Sequence, residues 1–134
     1  MYKHELTVYG ENLATDQALP QNASADGNGG VFDLAGTQGG IEIVVKVGST
    51  AIALADTKSL TVKLAHKDRD DASFVDLATL YSKTASGATT LAVGTELARF
   101  SLPSSTGNCL KAVITTTDVS ASGKLSVSPI YLAR

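Results

Sequence analysis

The sequence predicts an all-β fold, a jelly-roll or β-sandwich of about eight short antiparallel strands with an extended N-terminal arm. Three observations carry that expectation. Apolar and polar residues alternate at period two along several short runs, the mark of strands with one buried face. Small and turn-forming residues punctuate those runs at regular spacing. No stretch holds a convincing helical period, and tryptophan is absent while Ala, Thr, Ser and Gly dominate. The core is therefore expected to be thin and filled by small and β-branched side chains.

At 134 residues the chain has the length of one domain and can bury a core without staples. It divides into an arm and loop over 1–30 and a single sandwich domain over 31–134. In the arm, Glu5–Tyr9 suits a short strand, but Leu13–Leu19 shows no sustained period. Pro20 then opens the polar, glycine-rich stretch Gln21–Gly30. Such a segment buries too little apolar surface to offset its ordering entropy alone. It is expected to become ordered against another surface, with Leu6, Val8, Tyr9, Leu13, Gln17 and Leu19 as the candidate contact residues.

From Val31 the strands follow one another. Val31–Leu34 is short and is followed by Gly36, Gly39 and Gly40. In Ile41–Val47 the residues Ile41, Ile43, Val45 and Val47 share one face, against Glu42, Val44 and Lys46. Leu60, Val62 and Leu64 point inward in the next clear strand, which ends at the charged tip Lys67–Asp71. Phe74–Tyr81 alternates imperfectly, so a strand or a single helical turn fits it. The C-terminal meander is clearer. Ala98, Phe100 and Leu102 form one face of Thr95–Pro103, and Leu110, Ala112 and Ile114 one face of Cys109–Thr117. In the last strand Leu125 and Val127 share a parity that Ile130 and Leu132 do not, and Pro129 stands at the change. Proline donates nothing to a ladder, so a bulge or an edge is expected there.

Few residues offer chemistry. Net charge is only −2 with 18% charged residues, which gives no basic excess to steer the chain to nucleic acid or anionic lipid. The aromatic residues fall mostly on separate strands and do not build a base-stacking platform. Met1–Glu5 is too polar for a signal peptide, and no apolar run approaches the ~20 residues that span a bilayer. A lone Cys109 excludes an intramolecular disulfide and fits a reducing cytoplasm. It opens an apolar strand, remote from His4 and His66, as a buried or half-buried thiol rather than a nucleophile. Asp68 and Asp70 could begin a calcium loop, but Ala72, Ser73 and Thr79 stand where a ligand, the turn glycine and the bidentate Glu belong. No phosphate loop, nucleophile elbow or zinc spacing is present. No catalytic, cofactor-binding or metal-binding residue is assigned, and no enzyme activity is expected.

The order and spacing of these pieces carry a resemblance. They are Asp16–Leu19, then Phe32–Leu34 after a polar loop, the Ile41 strand and Leu60–Leu64. The charged tip with Phe74 follows, then Leu97–Pro103 with its closing Leu-Pro, and two strands joined across Ser122-Gly123. From Leu13 to Leu132 the chain resembles the cement (decoration) proteins of tailed-bacteriophage capsids, small jelly-roll proteins on the outside of the shell. The resemblance implies a virion structural protein made in the host cytoplasm and located on the outer capsid surface. It would bind the phage major capsid protein and itself, as a homo-dimer or homo-trimer, and stabilise the head. It implies no cofactor, while charge and hydropathy already set nucleic acid and membrane aside as partners. Alternatives are another β-rich virion component of tail, neck or head completion, and a carbohydrate-binding sandwich module. The latter would need exposed aromatics clustered on one face, and this chain has few.

Overall fold

The structure, a computed structural model, describes residues 5–7, 13–33, 41–68, 70–102 and 109–132. Among the described residues twelve strands form and no helix. They are β1 (Glu5–Thr7), β2 (Ala14–Ala18), β3 (Ser24–Asp26), β4 (Phe32–Asp33), β5 (Ile41–Val47), β6 (Ile52–Leu54), β7 (Ser59–Lys67), β8 (Val75–Thr84), β9 (Thr89–Leu91), β10 (Glu96–Ser101), β11 (Cys109–Thr116) and β12 (Lys124–Leu132). One sheet runs β1-β12-β5-β10, with β2 beside β1 on the same edge of β12. The other runs β3-β11-β7-β8, with β4 beside β3 on the same edge of β11. A small ribbon pairs β6 with β9.

Every pairing is antiparallel. The chain crosses between sheets rather than adding strands in sequence, so the last strand lies between the first strands and β5. That order is a jelly roll. Its core is aliphatic: Leu13, Ile43, Val45, Ile52, Leu60, Val62, Leu64, Leu110, Ile114, Leu125 and Val127 have no exposed surface. Each large side chain removed from water this way contributes about 1.5–3 kcal/mol before conformational entropy is set against it.

The period-two readings of β5, β7 and β11 hold in detail. Ile41, Ile43, Val45 and Val47 are buried, as are Leu60, Val62, Leu64, Leu110, Ala112 and Ile114. Val44 differs from expectation. Its register turns it away from the core, yet it is only 2% exposed, and Ile130 on β12 is similarly buried at 6%. Of Phe74–Tyr81, residues 75–81 are strand, the first part of β8, and Phe74 precedes it. β8 slips against β7 between Val62 and Lys63 and again between Leu64 and Ala65, which leaves Leu80 and Leu77 as the extra residues of two bulges. Each bulge shifts the parity of the strand, and the alternation along the sequence is imperfect for that reason.

Pro129 needs a correction. β12 pairs with β5 without interruption from Leu125 to Tyr131, so no bulge lies there, and β12 is an interior strand. Val127 turns its carbonyl toward the Leu13 N–H at 2.9 Å, and Pro129, two residues on, faces the same side. There β2 pairing ends at Val127 and β1 pairing begins at Ile130, so the missing donor of Pro129 meets no described strand.

The segment expected as an arm is the other difference. Within it, residues 13–30 lie on the sandwich itself, β2 extending one sheet and β3 the other. Leu13 and Ala14 are wholly buried and Leu19 is 7% exposed. The period of β2 is hidden because Asp16 takes a left-handed φ of 45° and β12 slips opposite it between Leu125 and Val127.

Candidate functional site

With the core sealed, the chemistry of this molecule lies on its two lateral sides and two outer sheet faces. On one side β2 of the first sheet and residues 26–30, from the end of β3 of the second, are laced together by side chains. The Gln17 carboxamide donates from Nε2 to the Asp26 carbonyl at 3.1 Å and accepts at Oε1 from the Asn28 N–H at 2.7 Å. Asn28 in turn accepts at Oδ1 from the Thr15 N–H at 2.8 Å and donates from Nδ2 to the Thr15 carbonyl at 2.9 Å. The two amide side chains therefore do what backbone pairing does elsewhere, joining sheets whose strands do not bond directly.

Asp16 anchors the outer margin of the same strand. Its carboxylate accepts from the Ser49 N–H and hydroxyl, both at 2.7 Å, with the Lys124 ammonium 3.8 Å away. The Ser49 N–H first, then its hydroxyl and Lys124, hold this carboxyl below its ordinary value against the opposing effect of burial.

On the opposite side β8 and β10 are, among the described residues, the edge strands of the two sheets. β10 also carries a bulge, which leaves Leu97 as its extra residue against β5. Leu77, Leu80 and Leu97 are thus all bulge residues, and all three pack half-buried against the core, together with Tyr81, Phe100 and Leu102. A bulge re-aims one side chain and twists the strand, so these leucines close the sandwich where a regular edge would leave it open. The same distortion blunts both edges as templates for another strand. Burial raises the Tyr81 phenol above its ordinary value.

Several charges on the outer faces are paired. Lys63 meets Asp76 at 3.5 Å and Lys111 meets Asp26 at 3.2 Å across the face of the second sheet. Arg99 on the first sheet bonds Glu42 at 2.8 Å and Glu96 at 3.0 Å, and the Ser101 hydroxyl donates to Glu42. Near the charged tip the Phe74 ring lies between two ammonium groups, Lys67 at 5.4 Å and Lys111 at 4.8 Å from its centre. Register places Cys109 opposite Lys67 and Ala65 opposite Lys111, and Cys109 and Ala65 are 8% and 3% exposed.

The candidate contact residues separate into groups. Leu13 and Leu19 face this chain's own core, and Gln17 is half-exposed in the side seam. Leu6 lies in β1, paired to Tyr131 through the backbone. Val8 and Tyr9 lie outside the described residues. The Lys67–Asp71 tip closes on itself, with the Asp71 N–H on the Asp68 carbonyl and the Asp68 N–H on the Asp71 carboxylate. Among the described residues no cluster of three or more His, Cys, Asp or Glu is placed to hold a metal ion, and no helix is long and apolar enough to cross a membrane. Sequence reading missed the Gln17–Asn28 seam. Its one signal was Asn28-Gly29, a turn dipeptide inside a polar stretch.

Fold and surface together define an all-β jelly-roll sandwich that carries ion pairs on its outer faces. No family model matches the sequence, and neither does any curated protein. Among solved structures the chain is similar to the VP2 subviral particle of infectious bursal disease virus, at 15% identity and a TM-score of 0.37. The match covers 98% of this chain and 33% of that one, so this chain spans about a third of its neighbour's length. A likeness of that degree carries no functional argument.

Proposed function

We propose that the protein is a virion structural component that binds the outside of a major capsid shell as a cement or decoration protein. The observation that carries this reading is the internal pairing of the outer faces, through Lys63–Asp76, Lys111–Asp26 and Arg99 between Glu42 and Glu96. Charges paired in place weaken the field that would draw polyanions. The paired charges can lie against another protein surface at a lower desolvation cost than lone ones. The blunted β8 and β10 edges agree with a protein held in fixed contacts at high local concentration without open-ended strand pairing. The resemblance of Leu13–Leu132 to phage cement proteins points the same way. Modest contacts repeated over a shell then give avidity, and the copies are proposed to form a closed dimer or trimer.

Because Leu13 and Leu19 serve the core, shell contact is assigned to the residues before Leu13, with Leu6, Val8 and Tyr9 as the candidates. The test is binding to undecorated shells of the parent virus by the full chain and by a variant lacking residues 1–12. The full chain is expected to coat the shell in many copies and the shortened chain to bind far less. Undiminished binding by the shortened chain would remove the contact assignment. Failure of the full chain to coat shells, or its presence in virions at a single ring's copy number, would remove the cement role.

A further inference from the structure

The seam on the β2 side contains a chemical instability that the fold holds in check. Asn28 is followed by Gly29, and glycine leaves the next backbone nitrogen unhindered for attack on the asparagine side chain. In that reaction the Gly29 nitrogen bonds to Cγ of Asn28, the Cγ–Nδ2 bond breaks, and ammonia leaves with the amide proton. Water then opens the resulting succinimide ring. Cleavage at Cγ yields aspartate, and cleavage at the main-chain carbonyl yields isoaspartate with an extra methylene in the backbone.

Both reacting groups are occupied in the folded molecule. The Gly29 N–H donates to the Leu13 carbonyl at 3.0 Å, and Leu13 is fixed in the core. The Asn28 carboxamide is held at both ends by the Thr15 backbone, and its own N–H is held by Gln17. Attack requires the nitrogen to leave Leu13 and the side chain to rotate away from Thr15 together.

We propose that Asn28 is a latent modification site: an Asn-Gly pair whose spontaneous deamidation the closed seam suppresses, and whose conversion unfastens that seam. Conversion replaces the Nδ2 donor with a carboxylate oxygen facing the Thr15 carbonyl, acceptor against acceptor. The isoaspartate form also lengthens the turn and moves Gly29 off Leu13. An event at an exposed turn is thereby coupled to the attachment of β2, and it does not reverse by itself.

The test compares the native protein, the urea-unfolded chain and folded Gln17→Ala in mildly alkaline buffer, with peptide mass spectrometry locating each converted asparagine. The unfolded chain is expected to convert at Asn28 several-fold faster than the native protein and faster than at Asn12, Asn22 or Asn108. Gln17→Ala, with one side of the clamp removed, falls between. Equal rates in folded and unfolded protein, or no preference for Asn28 in the unfolded chain, would overturn the proposal. Gly29→Ala gives an independent reading that does not rely on Gln17→Ala folding, because the added methyl should suppress conversion in the unfolded chain. Unchanged conversion in that variant would equally refute it. For the consequence, Asn28→Asp is expected to exchange the Thr15 and Gly29 amides faster than wild type, and unaltered exchange would show that the seam does not depend on the carboxamide.

Discussion

Asp118 is one of two buried polar residues among those described, and its carboxylate holds one end of the sandwich together. It accepts from the Ala55 N–H at 2.9 Å, the Ser120 N–H at 2.8 Å and the Ser120 hydroxyl at 3.0 Å. Its carbonyl receives the Asn22 N–H at 3.0 Å, and the neighbouring buried Thr116 hydroxyl donates to the Pro20 carbonyl. Loops after β2, β6 and β11 are therefore tied at one point. The Ala55 N–H, then the Ser120 N–H, lower the Asp118 pKa from 3.8, with burial opposing them. The folded state thus binds fewer protons than the unfolded one near that pH. The resulting stability is present in full above 3.8 and is lost as pH falls through the lower folded value. Asp16 acts in the same direction. The urea midpoint is expected to drop as pH is taken below 3.8, with a shallower drop in Asp118→Asn, which also starts from a lower midpoint. Identical pH slopes for the two proteins would show that Asp118 is not a source of the acid sensitivity.

At the scale of the element, the turns and bulges decide what each strand can do. Gly123, between β11 and β12, has φ +114°, and a Cβ there would lie 2.5 Å from the Ile52 Cα and 2.6 Å from the Ala51 carbonyl oxygen. Gly87, between β8 and β9, has φ +78°, and a Cβ at that position would meet nothing within 4 Å. Gly87→Ala is expected to cost about 1 kcal/mol for the left-handed backbone alone. Gly123→Ala adds backbone overpacking, which typically costs a further ~1–3 kcal/mol. Chemical denaturation of the two variants distinguishes them, and equal losses would mean that the Ile52 backbone yields to the methyl. The bulges show the same local logic. Leu77, Leu80 and Leu97 were legible as apolar residues, but not as the residues that close the side of the sandwich. Bulges are set by the partner strand, and the partners of β8 and β10 are β7 and β5, which no local pattern in β8 or β10 reports.

For the whole molecule the decisive feature is that residues 13–33 extend both sheets rather than standing apart from them. Removing residues 1–20 takes away Leu13, Ala14 and Leu19 from the core and the Gln17 lacing from the seam. Truncating a single buried leucine costs roughly 2–5 kcal/mol, and a domain's net stability is only about 5–15 kcal/mol. The 1–20 deletion is therefore expected to abolish a cooperative melting transition, whereas deletion of residues 1–12 retains one. A chain that still melts cooperatively after loss of residues 1–20 would show that β2 is dispensable to the fold. The contrast also protects the functional test, since loss of shell binding by the shorter deletion can then be read as loss of contact rather than of structure.

The strand faces of β5, β7 and β11 were readable from the chain because period two is a local property, and burial of Ile43, Val62 or Ile114 follows from it directly. The same holds for the charged tip and the absence of a convincing helical period. Where a local signal was interrupted, only the fold supplied the answer. Asp16 broke the period of β2 by its left-handed backbone, and Pro129 suggested a bulge that the gap between β1 and β2 makes unnecessary. The partners of Gln17 and Asn28 lie across a seam between sheets, and no periodicity along one segment reports what a second segment will bring against it. Composition and alternation made this chain a sandwich. Which residues close its sides was settled by long-range pairing, because an edge is defined by the strand that is missing beside it.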